Sequence, residues 1–530
     1  MTAVSRATLI CLFSVILNGC SGLFAEKDDF QEPIGAAENT PTDTQPVAVS
    51  APPIASPKPE PAELTLIERM RSGFAISDLD HKKVEQYEQW YAKHPEYIDR
   101  VFERGQRYLF YIVQRLEEEG LPLEIALMPV VESAFDPFAY SHATAAGMWQ
   151  FMSGTAGDYG IKENWWYDGR RDVIASTNGA INYLKRLHTL FDGDWLLALA
   201  AYNTGQGRLM RSIKANERAG KPTDFWSLKL PRETQAYVPQ LLALSHVVAE
   251  PDKFKVTLPE IPNAPYFVAI DIGSQLDLAQ AAELADITME ELYLLNPGFN
   301  RWATDPAGPH RLLIPSGHAE AFSAALAGID PSQRISWDRY KIRSGDSLIR
   351  IAKNHNTSVD ALKSANQLTS SRIRAGDVLL IPSASADAQH YELSANQRRI
   401  STQSRSKGRS EDSKISYTVR KGDSFWRIAN KHQVSVSSLA RWNGMSPRDT
   451  IKPGQKLVVW SNNVKDNTGD SDAVVRKLSY KVRAGDSLAR IASRFNVSIN
   501  DITRWNKVSS RNYIHPGQQL TLFVDVTKAR

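Results

Sequence analysis

Glu132 stands at the end of an apolar run, Ile125 to Val131. A carboxyl placed there is partly desolvated, and desolvation disfavours the charged form and raises the pKa. A carboxylic acid still protonated near neutral pH can act as a general acid, for instance by protonating the oxygen of a glycosidic bond. A solitary glutamate at a helix end is just as compatible with a solvated cap, so its company matters. Four short segments follow one another along the chain: Glu132-Ser133-Ala134-Phe135, Gly147-Met148-Trp149-Gln150, Ala200-Ala201-Tyr202-Asn203-Thr204-Gly205 and Glu233-Thr234-Gln235-Ala236-Tyr237-Val238. Candidates for a second carboxylate are Asp136, Asp168 and Asp172, although the aspartates of the Tyr-Asp-Gly-Arg-Arg-Asp loop also suit helix capping. A second carboxylate holding a water would turn the chemistry toward hydrolysis. Trp149, Trp165, Trp166 and Tyr167 are suited either to stacking on sugar faces or to filling a core.

The elements that must position these groups are helical. Ile98, Val101, Phe102, Tyr108, Leu109, Ile112, Val113 and Leu116 form one apolar face of a long helix that ends at Gly120-Leu121-Pro122. Glu124 to Val131 reads as a short buried helix despite Pro129. Ile174 to Leu190 reads as an amphipathic helix with His188 beside its stripe, and Trp195 to Tyr202 as a nearly all-apolar one.

Composition narrows the possibilities further. The chain of 530 residues carries 63 basic and 59 acidic groups, a net charge of +4, which excludes a strongly basic nucleic-acid binder. Its two cysteines are Cys11 and Cys20, so the folded body has no thiol chemistry, and no histidine pair has metal-ligand spacing. No metal and no organic cofactor is implied.

The C-terminal half repeats itself. Tyr340, Tyr417 and Tyr480 each open a segment leading to a Gly-Asp-Ser turn: Gly345-Asp346-Ser347, Gly422-Asp423-Ser424 and Gly485-Asp486-Ser487. An asparagine lies 21 positions after each of these glycines, at Asn366, Asn443 and Asn506, and an apolar strand closes each unit. Fixed internal spacing marks one copied unit: strand, turn, two short helices, strand. Asp346, Asp423 and Asp486 are expected as helix N-caps, with Leu348, Ile351, Phe425, Ile428, Leu488 and Ile491 buried. A degenerate copy at 266–315 keeps Asn296 but lacks the Gly-Asp-Ser turn. The linker over 384–414 carries Arg398, Arg399, Arg405, Lys407 and Arg409 and is expected as a solvated spacer, with weak attraction to anionic wall polymer or lipid as the alternative.

The repeats resemble LysM domains, of βααβ fold, which bind glycans containing N-acetylglucosamine. The four ordered segments resemble the lytic transglycosylases of the goose-lysozyme-like superfamily. The implied architecture is multidomain α+β: a mostly α, lysozyme-like catalytic domain followed by small βααβ LysM domains. Carried over by motif, Glu132 is the single catalytic acid and base. Gln150 lines the glycan cleft, Tyr202 and Asn203 face the scissile sugar, Tyr237 lies near the carboxylate, and Ser133 helps orient substrate. Where many relatives have Gly-Leu-Met-Gln, this chain has Gly-Met-Trp-Gln. The implied reaction is non-hydrolytic cleavage of the β-1,4 bond between N-acetylmuramic acid and N-acetylglucosamine, leaving 1,6-anhydro ends. A hydrolytic muramidase or a non-catalytic wall-binding scaffold are the alternatives. The glycine, aspartate and serine of each Gly-Asp-Ser turn are the expected LysM glycan-binding residues.

At the N-terminus, Leu9 to Leu17 is an apolar run of signal-peptide length, closed by Leu17-Asn18-Gly19-Cys20, which resembles a bacterial lipobox. Lipidation of Cys20 would anchor the chain to a membrane, and Ser21 points to the outer membrane with the body facing the periplasm. Eight prolines between Pro33 and Pro61 make a tether rather than a core. The expected layout is therefore a signal segment at 1–20, a Pro-rich disordered tether at 21–62, a catalytic domain at 63–250 and a degenerate LysM-like unit at 262–318. LysM domains follow at 337–383, 415–461 and 478–525, joined by linkers at 384–414 and 462–477. The expected partners are peptidoglycan glycan strands and, through the lipid, a membrane; nucleic acid is not among them.

Overall fold

The computed structural model describes residues 64–76, 81–355, 357–461, 475–483, 486–495, 497, 499–506 and 514–525. The expected signal segment, Cys20, the tether and Gly485 lie outside the described residues. The chain divides into two compact units. One runs to Ser406 and includes Asn443–Asp449; the other comprises Lys407–Trp442 and Thr450 onward.

The first unit begins with helices α1 (Leu66–Ser72), α2 (Lys82–Ala92) and α3 (Pro95–Glu118). Helix α3 starts on a proline in its first turn, where the missing N–H costs nothing, and buries the apolar stripe expected of it. Gly105 faces Phe135 so closely that an added Cβ would lie 2.9 Å from the ring, so α3 needs a glycine there to approach the segment after Glu132.

The stretch expected as one helix over 124–131 is broken in two. A 3-10 turn, Leu123–Leu127, leads into α4 (Met128–Ser133). The break precedes Pro129, which sits in the first turn of α4 and so loses no helical hydrogen bond. After α5 (Ser153–Asp158) come α6 (Val173–Leu190) and α7 (Trp195–Thr204), which agree with the expected segments to within two residues. Asp172 and Asp194 cap them, accepting from Ala175 N at 2.7 Å and Leu197 N at 2.9 Å. Helix α7 buries Leu196 to Ala201, as an all-apolar helix must. Helices α8 (Gln206–Arg218), α9 (Arg232–Ala249) and α10 (Pro251–Phe254) complete the bundle.

The degenerate repeat follows as an antiparallel pair, β1 (Phe267–Asp271) with β2 (Arg311–Pro315), enclosing α11 (Leu278–Ala285) and α12 (Met289–Leu295); α13 (Ala319–Ala327) comes after. It is fused to the helical domain. Tyr108 Oη donates to Leu294 O at 2.8 Å, Asp168 N to Gly298 O at 2.8 Å and Asn300 N to Trp166 O at 2.7 Å, while Arg107 pairs with Glu291 and Arg311 with Asp172. Phe267, Leu295 and Leu313 belong to the helical domain's own core.

A complete repeat comes next: β3 (Ser336–Lys341), α14 (Leu348–Asn354), α15 (Val359–Ala365) and β4 (Val378–Ser383), with β3 and β4 antiparallel. The segment after it is not the solvated spacer expected at 384–414. Residues 395–405 form helix α16, and Tyr391 is buried with its hydroxyl donating to Asp277 at 2.9 Å. Ser385 N donates to the same carboxylate at 2.9 Å, and Ala395 N to Asn300 O at 3.0 Å. A buried aspartate with unused lone pairs is what recruits this segment. The basic run hid it, because it reads as surface.

In the second unit, β5 (Ser413–Thr418) pairs with β6 (Lys456–Ser461) around α17 (Phe425–Lys431) and α18 (Val436–Trp442). Then β7 (Val475–Lys481) pairs with β8 (Gln519–Asp525) around α19 (Leu488–Arg494) and α20 (Ile499–Asn506). Leu348, Ile351, Phe425, Ile428, Leu488 and Ile491 are buried, as the repeat pattern requires.

The repeat's fixed spacing has a structural cause. Asn366 Nδ2 donates to Leu362 O at 2.8 Å and Leu380 O at 2.7 Å, and its Oδ1 accepts from Leu380 N at 2.7 Å. Asn506 ties α20 to β8 in the same way, and Asn296 ties α12 to β2. The N-caps, however, are the serines and not the aspartates: Ser347 accepts from Arg350 N and Ser424 from Arg427 N. Each aspartate closes the preceding turn instead. Asp346 Oδ2 accepts from Arg343 N and Tyr340 Oη, both at 2.8 Å, and Asp423 and Asp486 repeat the arrangement. The Gly-Asp-Ser side chains are thus engaged within their own modules.

Candidate active site

Glu132 occupies the last turn of α4, where the chain reverses through two non-glycine residues with positive φ, Ala134 at 51° and Phe135 at 55°. Such conformations cost about 1–3 kcal/mol each and persist only where the surroundings dictate them. Here Ala134 caps the helix and Phe135 is fully buried against Tyr108 and Gly105. The Gly-Met-Trp-Gln segment lies against this turn with its carbonyls occupied in sequence. Gln150 Nε2 reaches Gly147 O at 2.7 Å, Ser133 Oγ reaches Met148 O at 3.1 Å, and Tyr202 Oη donates to Trp149 O at 2.8 Å. Gly147, at φ 81°, is obligatory, since a Cβ there would fall 2.0 Å from Arg170 O.

The Glu132 carboxyl is half-buried, and desolvation pushes its pKa up to about 8. The Tyr237 hydroxyl opposes this by favouring the charged form, while the negative charge of Glu233 adds to the rise. Tyr237 itself is buried on α9. Its approach to Glu132 is too loose for a closed hydrogen bond, and its oxygen has no other partner among the described residues. Tyr202 is held well above the ordinary tyrosine pKa by burial and by the neighbouring Glu132, so both phenols remain neutral donors at working pH.

Asn203, beside Tyr202 on α7, accepts from Thr234 Oγ1 at 2.8 Å through its Oδ1. That contact turns its amide N–H groups away from Thr234. Thr234 is buried, and the sequence reading gave it no role although it lies within the fourth segment. Glu233, exposed in the first turn of α9, also went unassigned, yet it is the carboxylate that acts on Glu132. Their signal was membership of that segment. Thr177, which accepts from Trp149 Nε1 at 3.1 Å, carried none.

The structure therefore gathers Glu132, Tyr202 and Tyr237, with Ser133 and Asn203 next to them in the chain and Gln150 on the segment packed against the Glu132 turn. Ser133 is directed at backbone carbonyls, Pro129 O and Met148 O, both at 3.1 Å. Trp149, Trp166 and Tyr167 are core residues, and half-buried Trp165 lies under Arg301. The three candidate second carboxylates have other work. Asp136 accepts from Phe138 N at 2.8 Å, Asp172 caps α6 and pairs with Arg311, and buried Asp168 pairs with Arg170 and Arg171. Burial opposes the Asp168 charge, and the two guanidiniums outweigh it and hold its pKa below the ordinary value. No group of three or more histidine, cysteine or carboxylate side chains able to hold a metal occurs among the described residues.

Residues 111–225 match the transglycosylase SLT domain, and 266–331 match the LysM-like domain of lytic transglycosylase MltD. Residues 340–382, 417–460 and 480–523 each match the LysM domain. The membrane-bound lytic murein transglycosylase D of Escherichia coli is 36% identical over 400 residues, covering 73% of this chain and 84% of that protein. The N-acetylmuramoyl-L-alanine amidase sle1 of Staphylococcus saprophyticus is 32% identical over 200 residues, 37% of this chain and 55% of that one. The autolysin of Enterococcus faecalis is 30% identical over 192 residues, 34% and 24% of the respective chains. With this resemblance extending over most of both chains, with an SLT domain and with its LysM repeats, the protein belongs to the family of membrane-bound lytic murein transglycosylase D.

Proposed function

We propose that Glu132 performs both proton transfers of a lytic transglycosylase that cleaves peptidoglycan. The activity is that of the family; the observation that carries this assignment of the chemistry is the half-buried carboxyl with its pKa raised to about 8. Protonated at neutral pH, it gives its proton to the oxygen of the β-1,4 bond between N-acetylmuramic acid and N-acetylglucosamine. The substrate's acetamido group stabilises the cationic centre at C1, so no second enzymic carboxylate is needed. The ionised Glu132, now supported by Tyr237 Oη, takes the proton from the muramoyl 6-hydroxyl, and that oxygen closes on C1 to form the 1,6-anhydro ring. Proximity favours this intramolecular attack over water. Tyr202, Asn203 and Gln150 face the sugar, with Asn203 oriented by Thr234. Ser133 contributes through the Gly-Met-Trp-Gln backbone that it holds.

A second reading, hydrolysis, rests on Glu233, an exposed carboxylate close enough to influence Glu132. Digestion of purified murein with products resolved by mass separates the two. Muramoyl ends one water lighter than hydrolytic ends support the transglycosylase; ends carrying the added water support hydrolysis.

The LysM repeats bind the glycan, each weakly, and their number multiplies the affinity. The Gly-Asp-Ser turns contribute by shaping the binding surface, since their aspartate and serine side chains are already engaged. The lipobox at Leu17–Cys20 supports anchoring as an outer-membrane lipoprotein facing the periplasm. No helix among the described residues is long and apolar enough to cross a membrane. Labelling with a radioactive fatty acid tests the anchor: wild type takes up label and Cys20→Ala does not.

A further inference from the structure

Two guanidiniums lie over rings of the segment that runs on from Glu132, and two more stand near them. Arg398, on α16, lies over the Phe138 ring at 4.3 Å, and Arg171 lies over Tyr140 at 5.6 Å. Arg301 covers Trp165 at 4.0 Å and donates from Nε to Trp165 O at 3.0 Å. Arg399, next along α16, donates to Asn396 Oδ1 at 2.7 Å. Arg171 and Arg398 feel each other's charge, as do Arg301 and Arg399, and Tyr293 is within reach of both Arg301 and Arg398.

Negative charge is short at this place. Arg301, Arg398 and Arg399 form no ion pair among the described residues. Asp168, the carboxylate paired with Arg171, is shared with Arg170. Asp168 and Asp136 act on Arg398 only at longer range, Asp136 accepting from Phe138 N, and one Arg398 nitrogen donates to Leu393 O. The Nε atoms of Arg171 and Arg399 are buried without a hydrogen-bond partner. Burial works against the charge on Arg301, Arg398 and Arg399. Buried cations and orphaned donors are costly unless something answers them. Arg301, Arg398 and Arg399 nevertheless keep part of their surface open to solvent, while Arg171 is buried behind them.

From this geometry we infer that Arg171, Arg301, Arg398 and Arg399 form a carboxylate-binding site for the peptide stems of the substrate. Guanidinium forks bind carboxylates in pairs of parallel hydrogen bonds, and the aromatic rings beneath them hold the forks in place. The position supplies the identity of the ligand. Phe138 and Tyr140 lie between Glu132 and Gln150 in the chain, and a glycan strand cleaved at Glu132 carries short peptides whose free carboxylates are its anionic groups. The inference rests on the peptidoglycan reading above. It also gives α16 a function: the helix brings two arginines to the catalytic domain.

The test compares soluble glycan strands with free stem carboxylates against the same strands with those carboxylates amidated, which preserves their size. The full chain is expected to show a kcat/KM at least about tenfold higher on the free-carboxylate strands, as loss of a charge-assisted hydrogen bond implies. In Arg301→Gln and Arg398→Gln that ratio should fall toward one. Equal rates of wild type on the two substrates, or an unchanged ratio in variants whose circular dichroism matches wild type, would overturn the proposal. If both variants fail to fold, the wild-type ratio still decides. A preference for free carboxylates together with water-bearing product ends would leave the anion site standing and defeat the reading of the reaction. Anhydro ends formed equally well from both substrates would do the reverse.

Discussion

The Tyr237 hydroxyl is buried beside the Glu132 carboxyl and favours its ionised form, with no other partner for its oxygen among the described residues. Removing that hydroxyl should therefore raise the Glu132 pKa further. Tyr237→Phe is expected to move the alkaline limb of the kcat/KM profile up by roughly one pH unit while lowering the maximal rate, because the ionised stage loses its donor. A pH–rate profile of the variant checks both effects. An alkaline limb that moved down would mean that Tyr237 acts on something other than this carboxyl.

Glu132 must be protonated to start the reaction, so activity should hold through neutral pH and decline as the pH rises through about 8. Stability follows the same titration. A carboxyl whose folded pKa is raised costs the folded state nothing below its unfolded value near 4.5 and the most above about 8. Glu132→Gln removes that cost. The variant should lose activity by about 100- to 10,000-fold and yet melt at a higher temperature than wild type at pH 9, with the difference shrinking toward pH 4. Melting curves at the two pH values, together with a murein-binding assay, separate loss of chemistry from loss of fold.

Thr234→Val keeps the shape of the side chain and removes the donor that orients Asn203. Loss of one such hydrogen bond corresponds to about 1 kcal/mol, a roughly fivefold fall in kcat/KM, and Thr234→Ser should restore it. An unchanged rate in Thr234→Val would show that the Asn203 amide needs no such guide.

Much of this was legible in the sequence because it is periodic or local. The stripe of α3, the apolar α7 and the three repeats are patterns that burial imposes directly on residue order. The desolvation of Glu132 followed from the apolar run before it. What could not be read depended on a partner far away in sequence. Thr177 satisfies the Trp149 indole across 28 residues, and Asp277 pins Tyr391 across 114. The basic stretch at Arg398 and Arg399 looks like solvated linker until Phe138 is seen beneath Arg398. The Gly-Asp-Ser turns misled for another reason. Aspartate and serine both cap helices well, and only geometry shows that serine takes the cap while aspartate holds Tyr340.

Asn296 explains why the degenerate repeat kept one repeat residue while losing its turn. Buried, it satisfies Leu292 O, Leu313 O and Leu313 N together. Asn296→Ala leaves Leu313 N and Leu313 O without the amide, while Leu292 O keeps the backbone N–H of residue 296, and should cost about 2 kcal/mol. Because Leu295 and Leu313 sit in the core of the catalytic domain, the loss should appear as a lower melting temperature of the whole domain. A melting temperature equal to wild type would mean that the fused repeat is not part of the domain's cooperative unit.

The most direct measurement is digestion of purified murein in water enriched in heavy oxygen. If Glu132 takes the proton from the muramoyl 6-hydroxyl and so lets that oxygen close on C1, the new ends are anhydro sugars and carry no heavy oxygen. New muramoyl ends bearing heavy oxygen at C1 would contradict this, since water and not the sugar would then have completed the reaction.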